Sequence, residues 1–189
     1  MADEHGSIVS MTQTLNDAFG SRVTVPGTGV LLNNTMYNFD PHPGNANSIE
    51  PGKRVLSSMA PITVFKDGKP FLSIGTPGGR RIFPSVLQGI INVIDHNMSL
   101  QEAVEAPRVW TQGQNLELEP DISPDVVEPL KRKGHTIEAV DRVAGGMNGV
   151  LFDSNGSIHG AACWRADGSP IALSGGAATI RGSNPMFRV

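Results

Sequence analysis

The sequence predicts an α+β domain in which helices cover an antiparallel sheet. Two observations predict it. Short apolar or alternating runs bounded by turn residues come first, then one long run of helical period, then a further helix and more strands. This order lacks the strict strand–helix alternation of a doubly wound fold, and it suits helices layered on an antiparallel sheet.

The first alternating run, Ser7–Thr14, reads as a strand starting after the turn at Glu4-His5-Gly6. Residues 15–20 leave it as a loop, and Gly27–Asn34 reads as a short apolar strand ending in an Asn pair. Half-buried strands so near the N-terminus suggest that part of the sheet lies elsewhere. Asp40–Gly52, with three prolines and two glycines, is a loop. Ile62–Phe65 and Phe71–Ile74 flank Lys66-Asp67-Gly68-Lys69, a β-hairpin signal. After the break at Gly75-Thr76-Pro77-Gly78-Gly79, the residues Ile82, Val86, Leu87, Ile90, Ile91 and Ile94 keep a helical period to His96. This helix is expected to be largely buried against the sheet.

Ser99 caps a second helix over Leu100–Glu105, with Glu102 at capping-box spacing and Pro107 as the stop. Leu116–Glu119 alternates as an exposed strand. Ser123-Pro124 opens a third helix, closed by Lys131-Arg132-Lys133-Gly134. Thr136–Val140, Gly149–Phe152 and Ser157–Ala162 read as strands, with Asp153–Gly156 turning between the last two. Residues 1–173 form one domain on this reading, and 174–189 a Gly- and Ala-rich C-terminal tail.

Composition excludes several function classes. At 189 residues the chain is long enough for a substantial core. A net charge of −3 and 5% aromatics give no footprint for nucleic acid. No apolar run reaches the roughly 18 residues of a membrane span, and the polar, acidic start is not a signal peptide. Localisation stays open. The single cysteine, Cys163, excludes an intrachain disulfide and reads as a small core residue. No HExxH, CxxC, P-loop lysine or GxSxG elbow occurs, and the histidines have no ligand spacing, so neither a metal nor any other cofactor is expected. His5 and His42 lie in loops and read as solvated.

Chemistry concentrates at the Pro77-Gly78-Gly79 turn. Free N–H groups where a turn enters a helix can hold an anion or a developing oxyanion. By local sequence alone a tight structural bend is the favoured explanation, since Gly-rich turns are mostly structural. Small polar residues in loops (Thr12, Thr14, Asn16, Asn33, Asn34, Thr35, Asn38, Ser57 and Ser58) could line a polar site, though singly each is a common turn former or cap. This set has hydrogen-bonding groups but no evident activated nucleophile.

Several stretches together resemble the small subunit of the γ-glutamyltransferases. They are Thr12-Gln-Thr14-Leu-Asn16, Gly29–Asn34, Pro51–Pro61 with Lys53-Arg54-Val55-Leu56-Ser57-Ser58, Gly75–Ile82, Asn92–Asp95, Glu105–Arg108 and Gly145–Gly149. The match runs from about Ala2 to Ala162 in one order. It implies the four-layer αββα sandwich of N-terminal-nucleophile hydrolases, of which this chain is the small-subunit half, and a precursor that cleaves itself to expose a nucleophilic threonine. By resemblance, Thr14 matches the second threonine, hydrogen-bonded to the nucleophile, and Gly78 and Gly79 match the oxyanion-hole glycines. Asn16 matches a contact to the γ-glutamyl end, and Ser57 and Ser58 match the pair holding its α-carboxylate. The implied partners are a large subunit from the same precursor and a γ-glutamyl or related acyl-amide substrate. A half-sandwich exposing apolar sheet is expected to oligomerise when isolated.

The chain departs from the family's pattern in three places. Counting back from Ala2–Gly6, the nucleophile would precede Met1, so this polypeptide alone is expected to be inactive. The family's Asn-Asn-Gln/Glu-Met-x-Asp-Phe stands here as Asn33-Asn34-Thr35-Met36-Tyr37-Asn38-Phe39. The usual Asp, which pairs with the substrate α-ammonium, is Asn38, and this change marks the branch resembling glutaryl-cephalosporin acylases. The Asp40–Lys53 segment is also shorter than in members with a lid. The expected function is cleavage of γ-glutamyl amides through an acyl-enzyme, with transfer to water or amines. A glutaryl-type amidase is the alternative within the class, and a non-catalytic binder of small acids or of a partner subunit the alternative outside it.

Overall fold

The computed structural model describes residues 1–172; the expected tail, 174–189, lies outside the described residues. The strands and helices in chain order are β1 (Ile62–Lys66), β2 (Lys69–Gly75), α1 (Ile82–Ile94), α2 (Leu100–Glu105), β3 (Val109–Trp110), β4 (Leu116–Leu118), α3 (Pro124–Arg132), β5 (Ile137–Ala139), β6 (Asn148–Phe152) and β7 (Ile158–Ala162). The chain divides into two compact units, one of residues 12–58 and one of residues 1–11 with the chain from Met59 onward.

The larger unit is built on a four-stranded antiparallel sheet of order β1-β2-β6-β7. The register shifts between Val64 and Phe65, where Pro70 stands opposite Phe65. Proline has no N–H to give the ladder, so strands tolerate it at such irregularities. With a side-chain period of two, Leu72 and Ile74 of β2 point to one face. They pack there with Ile82, Val86 and Val93 of α1, Leu100, Ala103 and Val104 of α2, and Met147, Ala161 and Cys163. Gly89 lets α1 approach closely, because a Cβ there would lie 2.9 Å from the Met147 sulfur and 3.0 Å from Ile74.

Helix α2 starts on the expected capping box, the Ser99 side chain accepting from the Glu102 N–H and Glu102 accepting from the Ser99 N–H. In α3, Ser123 Oγ accepts from the Asp125 N–H, and the Gly134 N–H donates to the Lys131 carbonyl past its C-terminus.

Four expectations need correction. Helix α1 is buried on one stripe only, with Phe83, Leu87 and Ile94 exposed. The β4 stretch is not an exposed strand. Leu118 and Glu119 are buried, and β4 is the centre of a second sheet, antiparallel to β3 and parallel to β5. The two-residue β3 carries too little pattern to be read from sequence. The run 7–14 forms no continuous strand: within residues 1–9 a small hairpin closes through a single bridge, Ala2 to Ile8. A strand is defined by its ladder, and the rest of this run pairs with none among the described residues.

The smaller unit holds no extended ladder either. Residues 27–34 do not form the expected strand: one bridge, Thr24 to Leu31, and bonds such as Leu32 N–H to the Val23 carbonyl join residues 21–25 to 30–32. Thr35–Asn38 is a single 3-10 turn, and residues 40–52 are irregular, as expected.

Candidate functional site

Strand β2 delivers the chain to the glycine turn. At its end the buried Thr76 hydroxyl donates to the Gly145 carbonyl at 3.0 Å, and the Gly145 N–H donates to the Pro77 carbonyl at 2.8 Å. These bonds fasten the turn to the segment before β6. Gly78 sits at φ 143° and Gly79 at φ 60°, both in the region that side chains disfavour. At Gly78 a Cβ would lie 2.6 Å from that of Ala144, whereas at Gly79 nothing lies within 4 Å. A short 3-10 turn over Gly79–Arg81 then feeds α1. The N–H groups of Gly78 and Gly79 donate to no acceptor among the described residues. Two free N–H groups beside a helix start form a site able to take an oxygen anion.

Charge around the turn is arranged by four arginines and two glutamates. Arg81 forks onto Glu117 at 2.8 and 2.6 Å and lies over the Trp110 ring at 4.1 Å. The Glu117 hydrogen bonds hold its guanidinium above the ordinary range. Deeper in, Arg165 forks onto Glu119. Glu119 also accepts from the Arg108 N–H at 2.8 Å and the Val143 N–H at 2.6 Å. Among the described residues no carboxylate bonds the Arg108 guanidinium. It donates to the carbonyls of Val104, Val143 and Gly145 and to the Cys163 sulfur. Burial, and next the charge of Arg165, push its pKa down to about 10. It is therefore still a cation at neutral pH, one bond from the residue that backs the turn. Arg142 is exposed and donates to the Arg165 carbonyl at 3.2 Å. Arg81, Arg142 and Arg165 border a depression of about 420 Å³ beside Pro77 and Gly78.

The remaining expected site residues belong to the smaller unit. The Asn16 N–H donates to Thr14 Oγ1 at 2.8 Å, so Thr14 here shapes its own turn. Asn16, at φ 77°, donates from Nδ2 to Asn34 Oδ1 at 3.1 Å, and its Oδ1 accepts from Asn38 Nδ2 at 3.0 Å. Asn34 Nδ2 donates to Asp17 Oδ2 at 2.7 Å, and the Asp17 N–H returns to Asn34 Oδ1 at 3.1 Å. The Thr35 N–H caps onto Asn33 Oδ1 at 2.9 Å. Asn47 donates to the Asn38 carbonyl at 2.6 Å and accepts from the Leu56 N–H at 3.1 Å, which ties residue 38 to the residue before Ser57. Ser57 is exposed and Ser58 half-buried. Thr14, Asn16 and Asn38 thus share one hydrogen-bonded network, while Gly78 and Gly79 belong to the other unit. His5 and His42 are exposed, the latter bonded to Asp40, and Cys163 is a buried core residue.

Sequence reasoning missed Asp17, Thr76, Arg108, Glu119 and Arg165. Glu119 sat in an alternating run that looked solvent-facing. No local signal could have found it: a carboxylate and two arginines are buried only as a set, and the arginines lie 11 and 46 residues from Glu119.

The sequence model of the family described as Gamma-glutamyltranspeptidase matches residues 1–173. The chain is 58% identical over 178 residues to an Acylase ACY 1 proenzyme of Pseudomonas sp. (strain SE83), covering 94% of this chain and 32% of that protein. It is 39% identical over 175 residues to a Glutathione hydrolase proenzyme of Bacillus subtilis (strain 168), covering 92% and 30%. The chain therefore spans about a third of the length of these relatives. Among solved structures it resembles a gamma-glutamyltranspeptidase from Pseudomonas nitroreducens complexed with L-DON, with a TM-score of 0.82 and 36% identity, covering 92% of this chain and 97% of that one.

Proposed function

The chain belongs to the gamma-glutamyltranspeptidase family, and from that premise we propose that it is the small-subunit portion of an N-terminal-nucleophile enzyme that cleaves γ-glutamyl amides. An acyl-enzyme forms on a threonine, and water or an amine then takes the acyl group. The observation that carries this reading is the pair of unengaged N–H groups at Gly78 and Gly79, in a turn where Ala144 abuts Gly78 and Gly145 bonds the Pro77 carbonyl. They serve as the oxyanion hole. No residue in 1–189 matches the nucleophile, because Thr12 and Thr14 lie inside the chain without an adjacent free amine. On this reading the nucleophilic threonine and the large subunit belong to other parts of the same precursor, in keeping with relatives named as proenzymes. Asn16, Thr35, Asn38, Ser57 and Ser58 bind the acyl group's far end, and Thr14 supports the nucleophile.

Asn38 favours a second reading, an amidase for glutaryl-type acyl groups that carry no α-ammonium. An amide offers no charge to an ammonium, whereas a carboxylate in a desolvated site would pair with it. The 58% identity to a protein named an acylase supports the same reading. The test is a comparison of kcat/KM for γ-glutamyl and glutaryl anilides on the complete two-subunit enzyme. Preference for the γ-glutamyl compound upholds the first reading, preference for the glutaryl compound the second, and turnover of neither contradicts both.

A further inference from the structure

We propose that Asp17 is a positioning residue that sets acyl-donor choice from a distance, by fixing which way the amide of Asn38 faces. The inference rests on the reading that residue 38 meets the far end of the acyl group. It begins from a difference in chemistry: an amide can present either an oxygen or an N–H, whereas an ionised carboxylate can only accept. Asp17 is the carboxylate in this network, and it clasps Asn34 on both sides. Its Oδ2 takes the Asn34 Nδ2–H at 2.7 Å, and its own N–H donates to Asn34 Oδ1 at 3.1 Å. The orientation of Asn34 is thereby fixed. Asn34 Oδ1 then calls for a donor, which Asn16 supplies from Nδ2 at 3.1 Å. Asn16 must turn its oxygen to the other side, and there Asn38 Nδ2 donates at 3.0 Å. Read outward from residue 17, its carboxylate and its backbone N–H favour one direction for each bond, and residue 38 stands as a donor.

A carboxylate at position 38 would meet the Asn16 oxygen with another acceptor. This network therefore opposes the very side chain that would attract an ammonium-bearing acyl group, and it selects Asn. The remaining face of the Asn38 amide, turned away from Asn16, is neutral. It suits an acyl group that lacks an ammonium. Reversing the chain of amides meets two obstacles at position 17: the carboxylate, which can only accept, and the backbone N–H, which keeps its hold on Asn34 Oδ1 in any variant; D17N removes the first and leaves the second.

The experiment uses N38D and N38D/D17N in the complete enzyme. The carboxyl introduced by N38D is followed by carbon-13 NMR after aspartate labelling. In N38D it should titrate about one pH unit higher than in N38D/D17N, because an unrelieved acceptor contact disfavours its charged form. The comparison is made in about 1 M salt, where the Debye length of roughly 3 Å removes most of the bare charge effect of Asp17. The ionisable neighbours of residue 38 in the chain, Tyr37, Asp40 and His42, are the same in both variants, the last two bonded to each other. The ratio of kcat/KM for γ-glutamyl over glutaryl anilide should rise about tenfold from N38D to the double variant, the size of coupling expected between hydrogen-bonded neighbours. Equal titration in the two variants overturns the role of Asp17. A shifted titration with an unchanged ratio leaves the directional network standing and overturns the premise that residue 38 meets the acyl group. A readout that needs no new carboxyl is solvent exchange of the Asn38 side-chain amide protons. D17A should speed it about tenfold through loss of the fixed partner, and an unchanged rate overturns the proposal.

Discussion

The two glycines of the turn make unequal demands, and substitution should separate them. G78A places a methyl group 2.6 Å from Ala144 Cβ and 2.7 Å from its Cα, at a φ of 143°. Backbone must move, so the cost should be at least about 1–3 kcal/mol, with loss of acyl transfer. G79A meets open space at φ 60° and should cost about 1 kcal/mol through the left-handed backbone alone. Urea unfolding of the two variants checks the order. The buried charges predict a larger effect. E119A leaves Arg165 without its carboxylate, along with the N–H groups of Arg108 and Val143. It should destabilise by about 3–5 kcal/mol, the usual cost of stranding a buried charge.

At the scale of elements, the hairpin of β6 and β7 carries a pH-dependent contribution. Asp153 accepts from His159 Nε2 at 2.9 Å and from the N–H groups of Asn155 and Ser157. The His159 contact first, and the Ser157 N–H next, lower its pKa below the ordinary 3.8. A lowered carboxyl stabilises the fold above the unfolded pKa and loses that contribution as pH falls through the folded one. D153A should therefore be less stable than the parent at pH 7, and the gap should close below about pH 3.8; denaturant titrations at several pH values measure it. This hairpin was legible in the sequence because Asp153-Ser154-Asn155-Gly156 is local turn chemistry, and so was α2, whose capping box spans four residues. What could not be read was set by partners distant in the chain. Leu116–Glu119 looked solvated because nothing nearby announces Arg108 and Arg165. Ser7–Thr14 reads as a strand by alternation and Gly27–Asn34 by its apolar run, but neither pattern supplies a ladder. In the candidate site the residue types at Gly78 and Gly79 were legible, since a Pro-Gly-Gly turn carries its own backbone demands. The direction of the Asn16–Asn34–Asn38 network was not, because Asp17 acts on residue 38 only through two intervening side chains.

For the whole molecule, the proposed acyl transfer is divided between what these residues hold and what completes them. They hold a glycine turn fastened by Thr76, Ala144 and Gly145, proposed as the oxyanion hole, and a polar network whose sense we assign to Asp17. On the proposed reading, a nucleophile and a second subunit complete them. Apolar side chains exposed along α1, at Phe83, Leu87 and Ile94, should make the isolated chain self-associate, and light scattering across a concentration series checks this, a monomer at every concentration counting against it. The central claim is tested most directly by trapping the acyl-enzyme. The complete enzyme and the isolated 1–189 chain are each mixed with a γ-glutamyl or glutaryl anilide, quenched, and mapped by peptide mass spectrometry. The account predicts an acyl adduct on a threonine outside residues 1–189 in the complete enzyme, reduced in G78A, and no adduct on the isolated chain. An adduct on Thr12, Thr14 or any other residue within 1–189 would contradict it.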